Sequence, residues 1–321
     1  MTPEQILADI KSDRVKKVIM DGDYSAEIDD QYTFAYAYGH EKLEVLGVNA
    51  VAHYAEPRYT KTSTIVRVSV GNAAKTFWAL GLSPEELPLN MGPEKQITFN
   101  EGHAPVDCES ARFIIDMVHK YDEPIYIITT GPCSSAVNAC LMDPSIMDKI
   151  VVVWLGGNCI VPPYTEEHFH EWNMHADFVA SQMLFNMDIP LIMLPCSPNG
   201  SEKIVMTKAD LEKIEGTNTP ARFFRDELPR IDCRDKDFET PNYRKVMCDY
   251  MGVAAITLPD SMDYHIIPAP VLTDDRKYAI DSTRRKIIYC ENPNSDMIME
   301  DATKALNTLV RNFPYHWPGF E

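Results

Sequence analysis

Short apolar runs alternate with helix-period patterns along most of this chain. Residues 15–20 read as a buried strand and 29–38 as the helix that follows. Residues 43–51 read as a second strand. Residues 57–70 read as a helix, with Pro57 at a favoured first-turn position. The alternation continues with a helix at 108–119, a strand at 125–129, a helix at 134–141 and a strand at 150–155. A helix at 174–185 and a strand at 190–194 complete it. The strands are almost continuously apolar, as strands buried on both faces are, and they alternate with helices. The expected fold is therefore α/β and Rossmann-like: one domain with a mostly parallel central sheet and helices on both faces. Beyond Cys196 the pattern loosens. Residues 207–215 read as a helix opened by a capping Thr207. Residues 226–242, rich in Asp, Arg and Pro, read as a mobile surface excursion. Short strands are expected near 264–267 and 285–289, and an amphipathic helix at 295–312 closes the chain. The stretch 200–250 is expected to be a loop and helix excursion near the active site.

In open α/β sheets, ligands bind at the carboxyl ends of the strands. Three turns follow predicted strands and should open onto one rim. These are the acidic turn after residue 20, the turn Thr129-Thr130-Gly131-Pro132 and the turn Leu155-Gly156-Gly157-Asn158. The first reads Asp21-Gly22-Asp23-Tyr24-Ser25-Ala26-Glu27-Ile28-Asp29-Asp30. Four aspartates and a glutamate repel one another here unless something positive joins them. A hard divalent cation such as Ca²⁺ or Mg²⁺ is the simplest answer, because it takes carboxylate oxygens. A helix N-terminus next to them adds free N–H groups and partial positive charge. A polar cap with a solvated turn accounts for one or two such acids and explains five poorly.

Composition narrows the function. The chain has 321 residues, a hydrophobic fraction of 45% and a formal charge of −18. That charge argues against nucleic acid or an anionic membrane as partner, since phosphates call for a basic patch. No run of about 18 apolar residues is present to span a bilayer. The charged, helix-like N-terminus lacks the apolar stretch of a signal peptide. The eight cysteines contain no C-x-x-C pair and sit in apolar segments, as free buried thiols do. A reducing cytoplasm is the expected compartment.

The acidic motif matches the longer form, D-T-D-x-x-x-D/E-I-D-D, of the opening motif of the calcium-dependent, inosine–uridine type nucleoside hydrolases. Four further stretches agree with that family in order and spacing. Thr129-Thr130-Gly131-Pro132, followed by Met142-Asp143-Pro144-Ser145-Ile146, resembles T-G-P-x-T-N-x-A and then L-x-P-x-I. Leu155-Gly156-Gly157-Asn158 is similar to M-G-G. Glu171-Trp172-Asn173-Met174-His175-Ala176-Asp177 resembles E-F-N-x-x-x-D. Cys248-Asp249 stands where the family usually has His-Asp. Five collinear matches carry far more weight than any one.

The resemblance implies a Rossmann-like hydrolase of ribonucleosides, serving purine and pyrimidine salvage, usually as a dimer or tetramer. It implies one Ca²⁺ held by Asp23, Asp30, Asp249 and the main-chain carbonyl of Thr130. Asp23 would also be general base toward a Ca²⁺-bound water. Asp29 would accept hydrogen bonds from the ribose 2′- and 3′-hydroxyls. Glu171 and Asn173 would grip the rest of the sugar, with Asn158 a substitute for the family's 5′-hydroxyl ligand. Asp21 would order the motif from behind. The chain departs from the pattern at Cys248, in place of the late His that protonates the leaving base, and at His53 or Tyr54, in place of an Asn. Cys248 is expected to face the pocket. His53, His103, His168 and His170 are further proton donors to weigh, although a lone His is more often structural. Trp172 and Tyr164 could stack on a nucleobase, and residues 226–242 could form a lid carrying Tyr243 and Arg244.

Two other functions fit parts of the sequence. Asp21-x-Asp23 after a strand resembles the nucleophile loop of haloacid-dehalogenase-type phosphatases, with Asp21 attacking phosphorus, Mg²⁺ bound and Asp274-Asp275 offered as the late acidic pair. A non-catalytic nucleoside- or ribose-binding protein could keep the metal cradle and lose turnover.

Overall fold

The structure is a computed structural model, and it describes residues 1–53, 62–98, 102–160, 171–231 and 240–313. The expected start of the helix at Pro57, together with Tyr54, Pro162-Pro163-Tyr164-Thr165, His168, His170 and residues 232–239 of the expected excursion, lies outside them.

Eight strands form the central sheet: β1 (Lys16–Gly22), β2 (Leu43–Ala50), β3 (Leu89–Met91), β4 (Ile125–Thr129), β5 (Ile150–Leu155), β6 (Leu191–Leu194), β9 (Asp263–Pro268) and β12 (Lys286–Glu291). Two hairpins lie outside it, β7 (Val205–Thr207) with β8 (Arg244–Val246) and β10 (Val271–Leu272) with β11 (Tyr278–Ala279). The sheet order is β3-β2-β1-β4-β5-β6-β12-β9. Every pairing is parallel except β9 against β12. The chain steps outward from β1 to β2 and β3, then returns to build β4, β5 and β6 on the other side. The order thus reverses between β1 and β4, and a ligand crevice belongs at that switch point.

The helices are α1 (Pro3–Ile10), α2 (Asp29–Gly39), α3 (Thr62–Leu80), α4 (Glu109–Lys120), α5 (Ser134–Met142), α6 (Trp172–Ala176), α7 (Phe178–Asn186), α8 (Lys208–Glu212), α9 (Thr219–Arg222), α10 (Leu228–Ile231), α11 (Tyr250–Thr257) and α12 (Ser295–Asn312). They cover both sheet faces, and strand alternation divides the core accordingly. Val18, Met20, Tyr126, Ile128, Val151 and Val153 pack with α2, α11 and α12 on one side. Ile19, Ile127, Val152 and Trp154 pack with α4, α5 and α7 on the other. Side chains on both faces of each central strand are buried, which is why these strands read as continuous apolar runs.

The expected strands and helices of residues 15–194 appear at or within a few residues of their places, with three differences. The helix expected at 57–70 is α3, which runs ten residues further, to Leu80. The helix expected at 174–185 is two helices. Asp177 interrupts them at φ −136°, ψ 80°, and its carboxylate accepts from Ala180 N–H, capping α7. An acid able to bond the backbone offers the chain an alternative to helix. Strand β3 has no counterpart in the sequence pattern, because three residues are too few to show a period. In the 200–250 stretch, the described residues form the β7–β8 hairpin and short helical turns. Thr207 caps α8 as expected, within a reciprocal capping box with Asp210.

Candidate functional site

The three turns expected to share a rim do so. A cavity of about 470 Å³ opens at the carboxyl edge of the sheet, lined by Asp23, Asp29, Asp30, Thr130, Leu155, Glu171, Asn173, Cys248 and Asp249, among others. β1 delivers Asp23, and α2 begins with Asp29 and Asp30 in its first turn. β4 ends beside Thr130, and Asp249 immediately precedes α11. The register ties these ends together. Thr130 N–H donates to Asp21 O at 3.0 Å, and Val51 N–H donates to Gly22 O at 2.9 Å.

Carboxylate oxygens of Asp29, Asp30 and Asp249 lie within 4.8 Å of one another, and all three residues are buried. Asp23 lines the same cavity, and the charges of Asp30 and Asp29 bear on it directly. Thr130 Oγ1 donates to Asp30 at 2.7 Å. Burial raises the pKa of Asp23, Asp30 and Asp249 well above the ordinary carboxylate range, and the neighbouring carboxylates raise them further. Asp29 is pushed up to about 6 by burial and Glu27, with Lys245 pulling the other way. The charges bearing most on Asp23, Asp30 and Asp249 are negative. A buried set of like charges of this kind is stable either protonated or around a cation. The donors are all hard oxygens, so the residues fit a hard divalent ion. The tight trio is Asp29, Asp30 and Asp249, which adds Asp29 to the candidate ligands.

Gly22 makes this approach possible. A Cβ there would collide with Asp30 Oδ1 and lie 2.8 Å from Thr130 Oγ1. The strand must lack a side chain at its last position for the helix acid to reach it.

Asn173 and Glu171 are fixed by the backbone they cap. Asn173 Nδ2 donates to Thr130 O at 2.8 Å and to Leu155 O at 2.9 Å, pinning the ends of β4 and β5. Both amide hydrogens are thereby spent on the protein. The Thr130 carbonyl, expected as a metal ligand, has one lone pair engaged and one left. Glu171 caps α6, accepting from Asn173 N–H at 2.9 Å, Met174 N–H at 2.8 Å and Gly157 N–H at 2.7 Å. Burial raises its pKa, and these bonds moderate the rise. Cys248 faces the cavity, as does Cys196, and the two thiols influence each other's titration: Cys196 is lowered and Cys248 raised.

Asn158 does not line the cavity. Its Oδ1 accepts from Ser197 N–H at 3.1 Å, tying two loops, so its position gives no support to a sugar contact. His53 lines the wall, with Nδ1 3.0 Å from Ser25 Oγ, whereas His103 and His175 do not. Trp172 lies on the wall and is 57% exposed.

Asp21 cannot serve as a phosphatase nucleophile. It is fully buried in β1, level with Asn49 on β2 and Thr129 on β4, and it is not a cavity residue. Burial pushes its pKa up to about 7. Ser135, Asn49 and Thr129 approach and ease that rise, although none is aligned for a full hydrogen bond. Asp274 and Asp275 sit on the β10–β11 turn, bonded to Gln182, Thr273 and Lys277, away from the cavity.

The sequence reading missed Cys196, Glu202, Lys245 and Val246, all of which line the cavity. Cys196 follows β6 by two residues, so the rule that gathered the other three turns points to it as well. Lys245, buried and paired with Glu27, and its neighbours arrive on the β7–β8 hairpin, whose fold-back has no local signal.

Comparisons with known proteins agree with this geometry. Residues 18–299 match the family described as inosine-uridine preferring nucleoside hydrolase. The pyrimidine-specific ribonucleoside hydrolase RihB of Shigella flexneri serotype 5b is 25% identical over 175 residues, covering 54% of this chain and 51% of that protein. RihB of Escherichia coli O1:K1 / APEC is 31% identical over 116 residues, 36% of each chain. The chain thus spans about half the length, or less, of the curated relatives it matches. Among solved structures, the inosine-uridine preferring nucleoside hydrolase from Bacillus anthracis superposes with a TM-score of 0.65 at 15% identity, covering 91% of this chain and 99% of that one. The purine-preferring ribonucleoside hydrolase from Gardnerella vaginalis superposes with a TM-score of 0.68 at 17% identity, covering 92% and 99%. At such identities the structures show a shared fold. With its profile matched over residues 18–299, its sheet order and the acids at the switch point, the chain belongs to the inosine-uridine preferring nucleoside hydrolase family.

Proposed function

We propose that this protein hydrolyses the N-glycosidic bond of ribonucleosides, releasing ribose and a free base, with Ca²⁺ as its metal. The observation that carries the reading is the buried set of like-charged carboxylates at the floor of the switch-point cavity. Asp29, Asp30, Asp249, Asp23 and the remaining lone pair of the Thr130 carbonyl would hold the ion. When bound, a cation of this kind lowers the pKa of water beside it and orients hydroxyl ligands. Asp23, as a carboxylate, takes the proton of the attacking water. Asp29 accepts hydrogen bonds from ribose hydroxyls at the same floor. Glu171 has one lone pair free of backbone donors for the far end of the sugar, and Asn173 has its Oδ1. As the C1′–N bond stretches, positive charge develops on the ribose, and the ring of carboxylates stabilises it. Free bases released this way would serve salvage in a reducing compartment such as the cytoplasm, which suits the free thiols.

The test is a panel of inosine, uridine, adenosine, guanosine and cytidine assayed for reducing sugar, with Ca²⁺ and with a chelator. Sugar released from at least one nucleoside, and lost on chelation, is expected. Tight binding of a ribose mimic with no release from any of the five would favour the binding-protein alternative.

A further inference from the structure

The acids of the cavity account for one half of the charge separation in glycoside heterolysis. When the C1′–N bond breaks, its electron pair stays with the base, so negative charge grows as far from the ribose as the positive charge is near it. The floor is made of Asp23, Asp29, Asp30 and Asp249, which places the sugar there. The base would meet the rest of the lining, which includes Cys196, Glu202, Arg244, Val246 and Cys248. Thiols are weak hydrogen-bond donors, and Glu202 has the wrong sign.

Two cations reach this lining, from consecutive positions of β8, and their circumstances differ. Lys245 is buried and ion-paired with Glu27. Arg244 is exposed, stands opposite Thr207 across the hairpin, and makes no ion pair or hydrogen bond among the described residues. An arginine lining a cavity rich in carboxylates, and paired with none of them among the described residues, can offer its N–H donors to a ligand.

We infer that Arg244 is a catalytic residue for leaving-group departure, holding the base as it leaves as an anion. This rests on the proposed hydrolysis. Water adds to C1′ and passes one proton to Asp23. The C1′–N bond breaks with its electrons going to the base nitrogen, and solvent later protonates the free base. Guanidinium stays charged throughout, so it stabilises the anion by hydrogen bonds and charge and does not protonate it. The substrates it favours are nucleosides whose departing base spreads negative charge onto an exocyclic oxygen, such as uridine and inosine, over those bearing an amino group at that place.

The test compares wild type, Arg244→Ala and Arg244→Lys on uridine, inosine and 4-nitrophenyl β-D-ribofuranoside, whose phenolate leaves readily without help. Arg244→Ala should lower kcat on the two nucleosides by about 100-fold, the usual cost of one transition-state donor, with KM little changed and the nitrophenyl riboside within about threefold of wild type. Added guanidinium should restore part of the lost rate, and Arg244→Lys should fall between. Equal losses on all three substrates, or no loss on any, would overturn the assignment to the leaving base. A wild-type enzyme inert toward all three would instead overturn the hydrolase reading itself. Unchanged thermal unfolding of the variants separates both outcomes from misfolding.

Discussion

Asp23 has the environment of a group that works by exchanging a proton. It is buried, and the negative charges of Asp30, Asp29 and Glu171 bear on it. With a cation among these groups, the same carboxyl is pulled back toward its ionised form and can act as a base. Asp23→Asn removes the proposed base and keeps the shape. Turnover should fall by at least about 1,000-fold, within the range for loss of a general base, while the circular dichroism and unfolding midpoint hold. Near-normal turnover in that variant would show that Asp23 does not take the proton. Cys248→Ser should be milder, about tenfold or less, since a thiol contributes little as donor or acid at neutral pH. A complete loss there would mean the thiol takes part in the chemistry. The clustering of the acids was legible because they fall in one ten-residue stretch after a strand. The backbone groups that Glu171 and Asn173 hold were not, since those groups become neighbours only in the fold.

Helix α2 starts with two aspartates aimed at the end of β1, and the close approach depends on Gly22. Gly22→Ala should therefore damage the site more than the fold. The methyl group displaces the Asp30 carboxylate, so the expected result is a loss of Ca²⁺ affinity of about tenfold or more, consistent with the cost of disturbing groups around a metal site. Isothermal titration would measure it; unaltered affinity would mean that the strand end shifts to make room. The split between α6 and α7 belongs to the same scale. Asp177 caps α7 through Ala180 N–H and accepts from Ser134 Oγ at 2.7 Å, so a residue that the spacing alone places inside a helix ends up joining two. The sequence shows the acid but not the Ser134 that donates to it, because α5 and α7 are distant in the chain and meet only when both pack on the same sheet face.

Across the whole molecule, the acidic floor links stability to pH and metal. Asp21 sits at about 7 and Asp29 at about 6 in the fold, whereas unfolded aspartates titrate near 3.9. A carboxyl whose pKa is raised by folding stabilises the fold fully below its unfolded value. That contribution is lost as pH climbs through the folded value. The window is therefore about pH 4 to 7. In a chelator the unfolding midpoint should fall as pH rises through it, and the midpoint gain on adding Ca²⁺ should be larger at about pH 8 than at about pH 5, since ionised ligands bind and protons are released. An equal gain at both pH values would show that no buried carboxyl gives up a proton to the ion. Strand alternation, the apolar strands, the turns after β1, β4 and β5 and the acids they carry were all fixed locally, by side-chain period and turn chemistry acting over a few residues. The tertiary structure alone decided which acids meet: Asp249 reaches Asp29 and Asp30 from more than two hundred positions away. It alone brought Lys245 and Val246 to the same cavity, and it buried Asp21 behind the sheet edge. Contacts of this kind depend on sheet order and crossover packing, which no local pattern of residues encodes.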